Sequence, residues 1–278
     1  MTATREWTRL EASVRGLRVM HRMREGDGAP VLLVHGVGPG TDGEANFAPL
    51  IKALAADVPV HVIDLAGFGG SARKPYQPGF DVPLWLEQVD QALDRIGRPA
   101  VLVGNSVGGA LALKTAARRR ELRGVLAIGA PAAPMVPTPE LTAFWRAPRD
   151  QAALALAMRP MTAAQLAPTP QAVTARWRPF IDPAYAAWFD ESLARPADCL
   201  AAAALTKAEA AAIDAPTRLI HGLQDRACPA APLAAFVFEH LPMADLTLLG
   251  ACGHNVIAER TADVLAAVDL LRRKGLEA

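Results

Sequence analysis

Residues 100–109 read AVLVGNSVGG, and this stretch decides the fold. An apolar run, which predicts a buried strand, leads directly into a G-x-S-x-G pattern, and helical periodicity follows at residues 110–119. The sharp turn between strand and helix forces Ser106 into a strained backbone conformation, and Gly104 and Gly108 allow the two elements to crowd together. The pattern therefore predicts an exposed serine hydroxyl at a helix N-terminus, where the helix dipole favours developing negative charge.

Short apolar runs of the kind found in buried parallel strands recur on both sides of this stretch. They lie at residues 31–34, 60–63, 125–128, 218–220 and 246–249. Helical patterns occur between and after them, at residues 46–56, 83–96, 232–240 and 259–274. Residues 7–24 add two strands around Gly16. Strands that alternate with helices predict an α/β fold, in which helices flank a mostly parallel, twisted sheet.

The alternation stops between residues 132 and 212, where the sequence is rich in alanine and proline and shows no strand pattern. A disordered linker is the alternative, but this segment holds too many aromatic residues for a solvated tether. These aromatic residues are Phe144, Trp145, Trp177, Phe180, Tyr185, Trp188 and Phe189. We therefore predict a core domain of residues 1–131 and 213–278, and a helical cap (lid) of residues 132–212.

The composition argues against several classes of protein. Hydrophobic residues make up 51% of the chain, and the formal net charge is +1, so neither nucleic acid nor an anionic membrane is an expected partner. The three cysteines show no CxxC spacing, which argues against a disulfide framework or a zinc site and favours a reducing compartment. Residues 1–9 are polar, and no apolar run suits a signal peptide or a membrane helix. We expect a cytoplasmic protein that acts on a small molecule.

A serine hydroxyl is a weak nucleophile and needs a base. His254 lies in the sequence GHN at residues 253–255, just past the last predicted strand, and Asp225 ends the sequence HGLQD at residues 221–225, just past the strand before. Parallel strands bring their carboxyl ends to one edge of the sheet, so these side chains should meet Ser106 there. The order Ser, Asp, His is that of hydrolases with this elbow. We predict Ser106 as nucleophile, His254 as base and Asp225 as the acid that orients the base.

The oxyanion of a tetrahedral intermediate needs two preorganised N–H donors. Val107, which follows the serine, supplies one, and Val37 in the loop HGVGPG at residues 35–40 is our candidate for the other. His35 in this loop could also serve as a base, but we interpret it as ordering the loop. Asp64 ends another predicted strand and is the alternative acid, although its turn-rich surroundings indicate a role in shaping a loop.

Residues 38–43, GPGTDG, match the dinucleotide-binding pattern G-x-G-x-x-G, with Asp64 about 20 residues further on. Pro39 removes an N–H where the backbone should bind pyrophosphate, and the serine elbow would stay unexplained. A dinucleotide-binding oxidoreductase is therefore a remote alternative, which NAD(P)H titration would test. A hydrolase-like binding protein without catalysis is another, and fluorophosphonate labelling of Ser106 would test it.

Several of these motifs together resemble a known family. They are the loop HGVGPG at 35–40 with the downstream Asn46-Phe47, residues 64–71, the elbow and the sequence CGH at 252–254. They are similar to the meta-cleavage-product hydrolases, which are α/β-hydrolases that split a carbon–carbon bond in acids formed by ring fission of catechols. The resemblance covers the core well and the cap poorly. It implies the α/β-hydrolase fold, catalysis without a metal or organic cofactor, and a homo-oligomer.

The resemblance also implies substrate-binding residues. Asn46 and Asn105 would contact the dienoate or its carboxylate end, and Arg176 from the cap would bind the substrate carboxylate, with Arg178 as its nearest substitute. Asn255 departs from the tryptophan that the family commonly has after the catalytic histidine. The expected function is hydrolysis of a carbon–carbon bond in a ring-fission product such as a 2-hydroxy-6-oxo-dienoate. A carboxylesterase or lactonase that uses the same triad is the alternative.

Overall fold

The computed structural model describes residues 6–75 and 77–274, which contain eight strands in one open sheet. The strands are β1 (Trp7–Val14), β2 (Leu17–Arg24), β3 (Val31–Val34), β4 (Val60–Asp64), β5 (Val101–Asn105), β6 (Gly124–Ile128), β7 (Thr217–Gly222) and β8 (Asp245–Leu249). Their order across the sheet is β1-β2-β4-β3-β5-β6-β7-β8. β2 runs antiparallel to both neighbours, and every later pair is parallel. The predicted mostly parallel sheet is therefore confirmed, and part of the polar segment noted at residues 1–9 lies outside the described residues.

Helices cover the sheet and fill the segment between β6 and β7. They are α1 (Gly43–Ala53), α2 (Val82–Ile96), α3 (Val107–Ala116), α4 (Pro139–Phe144), α5 (Gln151–Met158), α6 (Pro170–Trp177), α7 (Pro183–Ser192), α8 (Pro196–Ala203), α9 (Lys207–Ala211), α10 (Ala230–His240), α11 (Val256–Glu259) and α12 (Thr261–Lys274). Two short 3₁₀ helices, Arg159–Met161 and Arg178–Ile181, lie among them. Within the part of the chain that the structure describes, no helix combines the length and apolar character needed to cross a membrane.

The two faces of the sheet carry separate apolar clusters. Leu32 and Val34 of β3 pack with residues of α2 and α3 on one face, whereas Val31 and Leu33 pack with residues of α1 and α12 on the other. This alternation is the two-residue period of a strand. Because both faces are covered, all residues of β3 to β6 are buried, and the apolar runs in the sequence follow from that burial.

Two helix boundaries differ from the sequence prediction for local reasons. α1 begins at Gly43 rather than near residue 46, because the side chain of Asp42 accepts the N–H of Ala45 and caps the helix. The helix predicted at residues 259–274 is divided into α11 and α12 at Arg260, whose φ of −139° and ψ of 44° are not helical. The first of these pieces follows directly after the loop that carries His254.

The insertion between β6 and β7 is helical, and residues 132–212 contain no strand. Its helices begin repeatedly with a side-chain N-cap followed by proline, as at Thr138-Pro139, Thr169-Pro170 and Asp182-Pro183. Proline is favoured in this first position because its missing N–H would have no intrahelical partner. The prolines therefore mark helix starts, and this insertion supports our proposed division into a core and a cap of residues 132–212.

Candidate active site

The predicted elbow forms where β5 meets α3. Ser106 has a φ of 53° and a ψ of −123°, a backbone conformation that residues other than glycine adopt only under constraint. A Cβ atom at Gly104 would lie 2.1 Å from the carbonyl oxygen of Gly108, and one at Gly108 would lie 2.1 Å from that of Val34. Only glycine fits these two positions. Ser106 is 6% exposed, so its hydroxyl is much less accessible than the exposed hydroxyl predicted from the sequence.

Hydrogen bonds connect the serine to the histidine and aspartate. Nε2 of His254 lies 3.1 Å from Oγ of Ser106, and Nδ1 of His254 lies 2.7 Å from Oδ2 of Asp225. The other carboxylate oxygen of Asp225 accepts the N–H groups of Ala227 at 2.9 Å and Cys228 at 2.8 Å. The structure thus brings the three predicted side chains together, although 148 positions separate the serine from the histidine.

Burial and charge shift the pKa values of His254 and Asp225 in opposite directions. Burial of the ring lowers the pKa of His254, but the charge and hydrogen bond of Asp225, with a smaller contribution from Glu259, raise it above its usual value. Burial would raise the pKa of Asp225, but His254 and His221 hold it well below its usual range. Asp225 is therefore an anion at neutral pH, and the protonated form of His254 is stabilised, which suits a general base.

The loop of residues 35–40 lies directly against the serine. A Cβ atom at Gly36 would be 2.8 Å from Cβ of Ser106. The carbonyl of Val37 accepts Nε1–H of Trp145 at 3.0 Å, whereas no acceptor among the described residues binds the N–H of Val37. Val107 is the first residue of α3, and such N–H groups have no intrahelical partner. Both proposed oxyanion donors are therefore free to bind a substrate.

Asn46 and Asn105 are joined beside the elbow. Nδ2 of Asn105 donates to Oδ1 of Asn46 at 3.1 Å, and the same oxygen accepts the N–H of Gly36 at 3.4 Å. Oδ1 of Asn105 is buried and has no hydrogen-bond partner within the described residues. A buried acceptor without a donor is costly, so this oxygen is available for a donor on a ligand.

Arg176 of α6 reaches the same loop from the cap. Its guanidinium donates to the carbonyl of Pro39 at 3.3 Å and to Oγ1 of Thr41 at 3.0 Å, and burial lowers its pKa. No ion pair of this guanidinium is formed within the described residues, although the nearby charge of Asp42 opposes the effect of burial on its pKa. Arg178, the substitute considered from the sequence, is exposed. Of the two arginines, the structure thus brings Arg176 to the loop.

Residues of the cap and the core fill the space beside the glycines of residues 38–43. A Cβ atom at Gly38 would lie 2.5 Å from the ring of Phe144, and one at Gly40 would lie 1.8 Å from the carbonyl oxygen of Arg176. The N–H of Gly43 donates to Asp64 at 2.9 Å. These glycines therefore allow close packing within the protein, which argues against the dinucleotide alternative.

His35 and Asp64 form hydrogen bonds to the backbone of loops and none to Ser106. Both ring nitrogens of His35 are engaged, Nδ1 with the carbonyl of Gly36 at 2.7 Å and Nε2 with the N–H of Leu65 at 2.9 Å. Asp64 accepts the N–H of Gly70 at 2.8 Å as well as that of Gly43. Their hydrogen bonds agree with the loop-ordering roles that we interpreted from the sequence.

Two polar residues around the site were missed by the sequence analysis. Nε2 of His221 lies 2.6 Å from the carbonyl oxygen of Cys228 and 3.2 Å from Oδ2 of Asp225. Glu259 accepts the N–H of Gly253 at 3.1 Å and, with its second oxygen, that of Ala163 in the cap at 2.9 Å. Their only signal in the sequence is position, since each lies within five residues of a predicted triad member.

The chain matches the family model described as the alpha/beta hydrolase family over residues 31–268. It therefore belongs to this family, and it is a hydrolase. The 2-hydroxymuconate semialdehyde hydrolase of Pseudomonas sp. (strain CF600) is 30% identical to it over 245 residues, which is 85% of this chain and 84% of that protein.

A solved structure and a second relative extend the comparison. The meta-cleavage product hydrolase from Pseudomonas fluorescens IP01, solved as a mutant complexed with acetates, superposes with a TM-score of 0.86 at 25% identity, covering 96% of this chain and 98% of that chain. The pimeloyl-[acyl-carrier protein] methyl ester esterase of Xylella fastidiosa (strain M12) is 33% identical over 105 residues, 38% of each chain. The resemblance to the meta-cleavage-product hydrolases is confirmed.

Proposed function

We propose that this hydrolase cleaves a carbon–carbon bond in a ring-fission product such as a 2-hydroxy-6-oxo-dienoate, with Ser106 as nucleophile, His254 as base and Asp225 as the orienting acid. The observation that carries hydrolysis by this serine is the hydrogen-bonded series from Ser106 through His254 to Asp225, at 3.1 and 2.7 Å. The carbon–carbon substrate is supported by the similarity to the 2-hydroxymuconate semialdehyde hydrolase. A nucleophile within hydrogen-bond distance of a base that a third group orients is the arrangement that nucleophilic catalysis requires.

Arg176 and the two asparagines support an acidic dienol as substrate. The guanidinium of Arg176 donates to two neutral oxygens and forms no ion pair within the described residues, so a substrate carboxylate would give it a direct anionic partner. The buried Oδ1 of Asn105 needs a donor, which the enol hydroxyl of such a substrate supplies. Asn46 fixes the Asn105 amide and would hold it toward the dienoate.

In the proposed reaction the substrate binds between core and cap, and a proton first moves from the enol oxygen to carbon. His254 then removes a proton from Ser106, or from a water, as that oxygen attacks the carbonyl at the scissile bond. The N–H groups of Val37 and Val107 bind the resulting oxyanion. When the carbon–carbon bond breaks, its electron pair enters a dienolate, which takes the proton from His254. On the serine route, water then hydrolyses the acyl group from Ser106 and releases an acid. These steps use protein groups and water only.

The test is turnover of several ring-fission products, which absorb visible light that is lost on cleavage. We expect the wild-type protein to bleach at least one of them, and Ser106→Ala to lose this activity. Fluorophosphonate should label the wild-type protein at Ser106 and leave Ser106→Ala unlabelled. If no ring-fission product is consumed while simple esters turn over, the carbon–carbon proposal is wrong. If the wild-type serine is not labelled, the proposed nucleophile is wrong.

A carboxylesterase or lactonase is the second candidate, and the partial similarity to a methyl ester esterase favours keeping it. Both reactions need the same nucleophile and oxyanion donors, so these groups do not distinguish them. The carbon–carbon reaction alone must stabilise a dienolate as leaving group. Arg176 and the free Oδ1 of Asn105 would bind the carboxylate and the enol hydroxyl of a ring-fission product, which neutral esters lack. Substitution of either residue should therefore impair the cleavage of ring-fission products more than that of neutral esters.

We also propose a cytoplasmic location, supported by three cysteines that are free and buried, as expected in a reducing compartment. Burial raises the pKa of the thiols of Cys199, to about 12, and Cys252, to about 11, so neither is a reactive thiolate at neutral pH. A homo-oligomer remains a proposal that rests on the resemblance.

A further inference from the structure

His221 is a buried histidine that takes no part in the proton transfers proposed above. It lies near the end of β7 and is 1% exposed. Its Nε2 has two acceptors, the carbonyl oxygen of Cys228 at 2.6 Å and Oδ2 of Asp225 at 3.2 Å. A ring nitrogen that faces two acceptors must carry hydrogen, because an unprotonated nitrogen would repel both lone pairs. His221 therefore donates to the carbonyl of Cys228, and the same N–H lies beside the carboxylate that orients His254, whose pKa it helps to lower.

The other ring nitrogen of His221 makes no competing contact. Nδ1 is buried and has no hydrogen-bond partner within the described residues. The hydrogen bonding of this ring is therefore concentrated at Nε2, on the side that faces Cys228 and Asp225.

The hydrogen bonds around Asp225 form a closed ring. Oδ1 of Asp225 accepts the N–H of Cys228 at 2.8 Å, and the carbonyl of Cys228 accepts Nε2–H of His221, which also reaches Oδ2 of Asp225. The same Oδ2 accepts Nδ1–H of His254 at 2.7 Å. Two imidazoles thus share one carboxylate oxygen. Rotation of the carboxylate would break bonds on both of its oxygens.

We infer that His221 is a positioning residue for the proposed triad: its N–H fixes the Asp225 carboxylate against His254 and disperses the charge on the shared oxygen. The inference rests on the proposed function, because it gives His221 no direct contact with substrate. Without this donor, Oδ2 would hold its negative charge more fully and would stabilise the protonated form of His254 more strongly. The neutral, reactive form of His254 would then be lost at a higher pH.

Other titratable and charged groups also face the Asp225–His254 pair. They are the hydroxyl of Ser106, the thiols of Cys228 and Cys252, the carboxylate of Glu259, and the guanidinium of Arg226 next to Asp225 in the chain. Both thiols have a raised pKa and stay neutral, and Arg226 is exposed. Glu259 carries a charge that also raises the pKa of His254, and substitution of His221 leaves it in place.

The experiment measures the rate of fluorophosphonate labelling of Ser106 against pH, which needs no knowledge of the natural substrate. His221→Leu removes the donor and fills the space, whereas His221→Gln keeps an N–H near the position of Nε2. Loss of a hydrogen bond to a charged group should slow labelling by about 10- to 100-fold in His221→Leu. Its acidic limb should also move to higher pH. His221→Gln should keep most of the wild-type rate and the wild-type limb.

His61→Gln is the matched control, because His61 is also a buried histidine but is bonded to His21 between β2 and β4. It should label at the wild-type rate over the pH range in which all variants stay folded. If His221→Leu does not fold, His221→Met takes its place. The inference is overturned if the acidic limb of labelling in His221→Leu stays in place or moves to lower pH. It is also overturned if His221→Gln loses as much of the labelling rate as His221→Leu. If wild-type Ser106 itself is not labelled, it is the proposed function that fails.

Discussion

Replacement of Glu259 by glutamine tests how the cap is attached to the loop that carries His254. The carboxylate accepts one N–H from each side, that of Gly253 at 3.1 Å and that of Ala163 at 2.9 Å. Asn255 adds a backbone bond to the carbonyl of Met161 at 2.8 Å. A Cβ atom at Gly253 would lie 2.6 Å from the N of Ala163, so the two segments are also in close contact.

The expected loss of stability follows from these bonds. Glutamine keeps one carbonyl oxygen, but its NH₂ group would face the second N–H, so one charge-assisted bond is lost and the other becomes a neutral one. A hydrogen bond to a charged group contributes about 1.5–3 kcal/mol. Because Glu259 is only partly buried, we expect Glu259→Gln to lose about 2 kcal/mol, which lowers Tm by about 4–8 °C in a chain of this size.

The same substitution should change the pH dependence in the opposite direction to the loss of His221. The charge of Glu259 raises the pKa of His254. Its removal lowers that pKa, so neutral His254 persists to lower pH, and the acidic limb of fluorophosphonate labelling should move down. Loss of the donor His221 should move it up. These opposite signs distinguish two specific electrostatic effects from a general loosening of the site.

Three measurements check this prediction: thermal unfolding, the pH profile of labelling, and hydrogen exchange of the Gly253 and Ala163 amides. Both amides should exchange faster in Glu259→Gln. The control is Glu239→Gln, since the side chain of Glu239 is 64% exposed and its ion pair is with its neighbour in the chain, His240. An unchanged exchange rate for both amides, together with an unmoved acidic limb, would refute the reasoning.

Two further predictions concern substrate binding and acid stability. Arg176→Leu should reduce kcat/KM for an acidic ring-fission product by about 30- to 1000-fold and spare neutral esters, whereas exposed Arg178→Leu should change neither; equal effects on both substrates would contradict the assigned role. Burial lowers the pKa of His21 to about 3 and that of His61 to about 4. Both folded pKa values lie below the unfolded value near 6.5, so the neutral histidines favour the folded state fully above that pH. This contribution to the free energy of unfolding is lost as pH falls towards the folded pKa values, and for His61 the loss is about 2 kcal/mol at pH 5. Denaturant unfolding at pH 7 and pH 5 should show a smaller loss in His61→Gln.

The elements that could be predicted from the sequence are those whose pattern is local. The strand, elbow and helix around Ser106 follow from an apolar run and two glycines, and the packing of Gly104 against Gly108 shows why those glycines are there. The strand-end positions of Asp225 and His254 could also be predicted, since a parallel sheet brings its carboxyl ends to one edge. Their hydrogen bonds then depend on only a few loop residues.

The parts that escaped prediction depend on contacts between distant segments. Glu259 matters because a cap residue, Ala163, lies 96 positions away in the chain but beside it in the fold. His221 matters because the chain turns back at Cys228. The prediction of an exposed hydroxyl at Ser106 is wrong, because the sequence does not show how closely the surrounding segments pack around this residue.

The order of the strands explains why the chemistry and its specificity can be separated. The loop of residues 35–40, Ser106, Asp225 and His254 follow β3, β5, β7 and β8, so the register of the core brings them to one edge of the sheet. Bonds from Glu259 and Asn255 then join the His254 loop to the cap. The cap enters the chain after β6 and returns before β7, and it contributes no strand to the sheet. Changes within the cap therefore leave the strand register intact while they alter the surface around a substrate. An alanine- and proline-rich cap on this core is thus compatible with the family's chemistry and with a different substituent on the substrate.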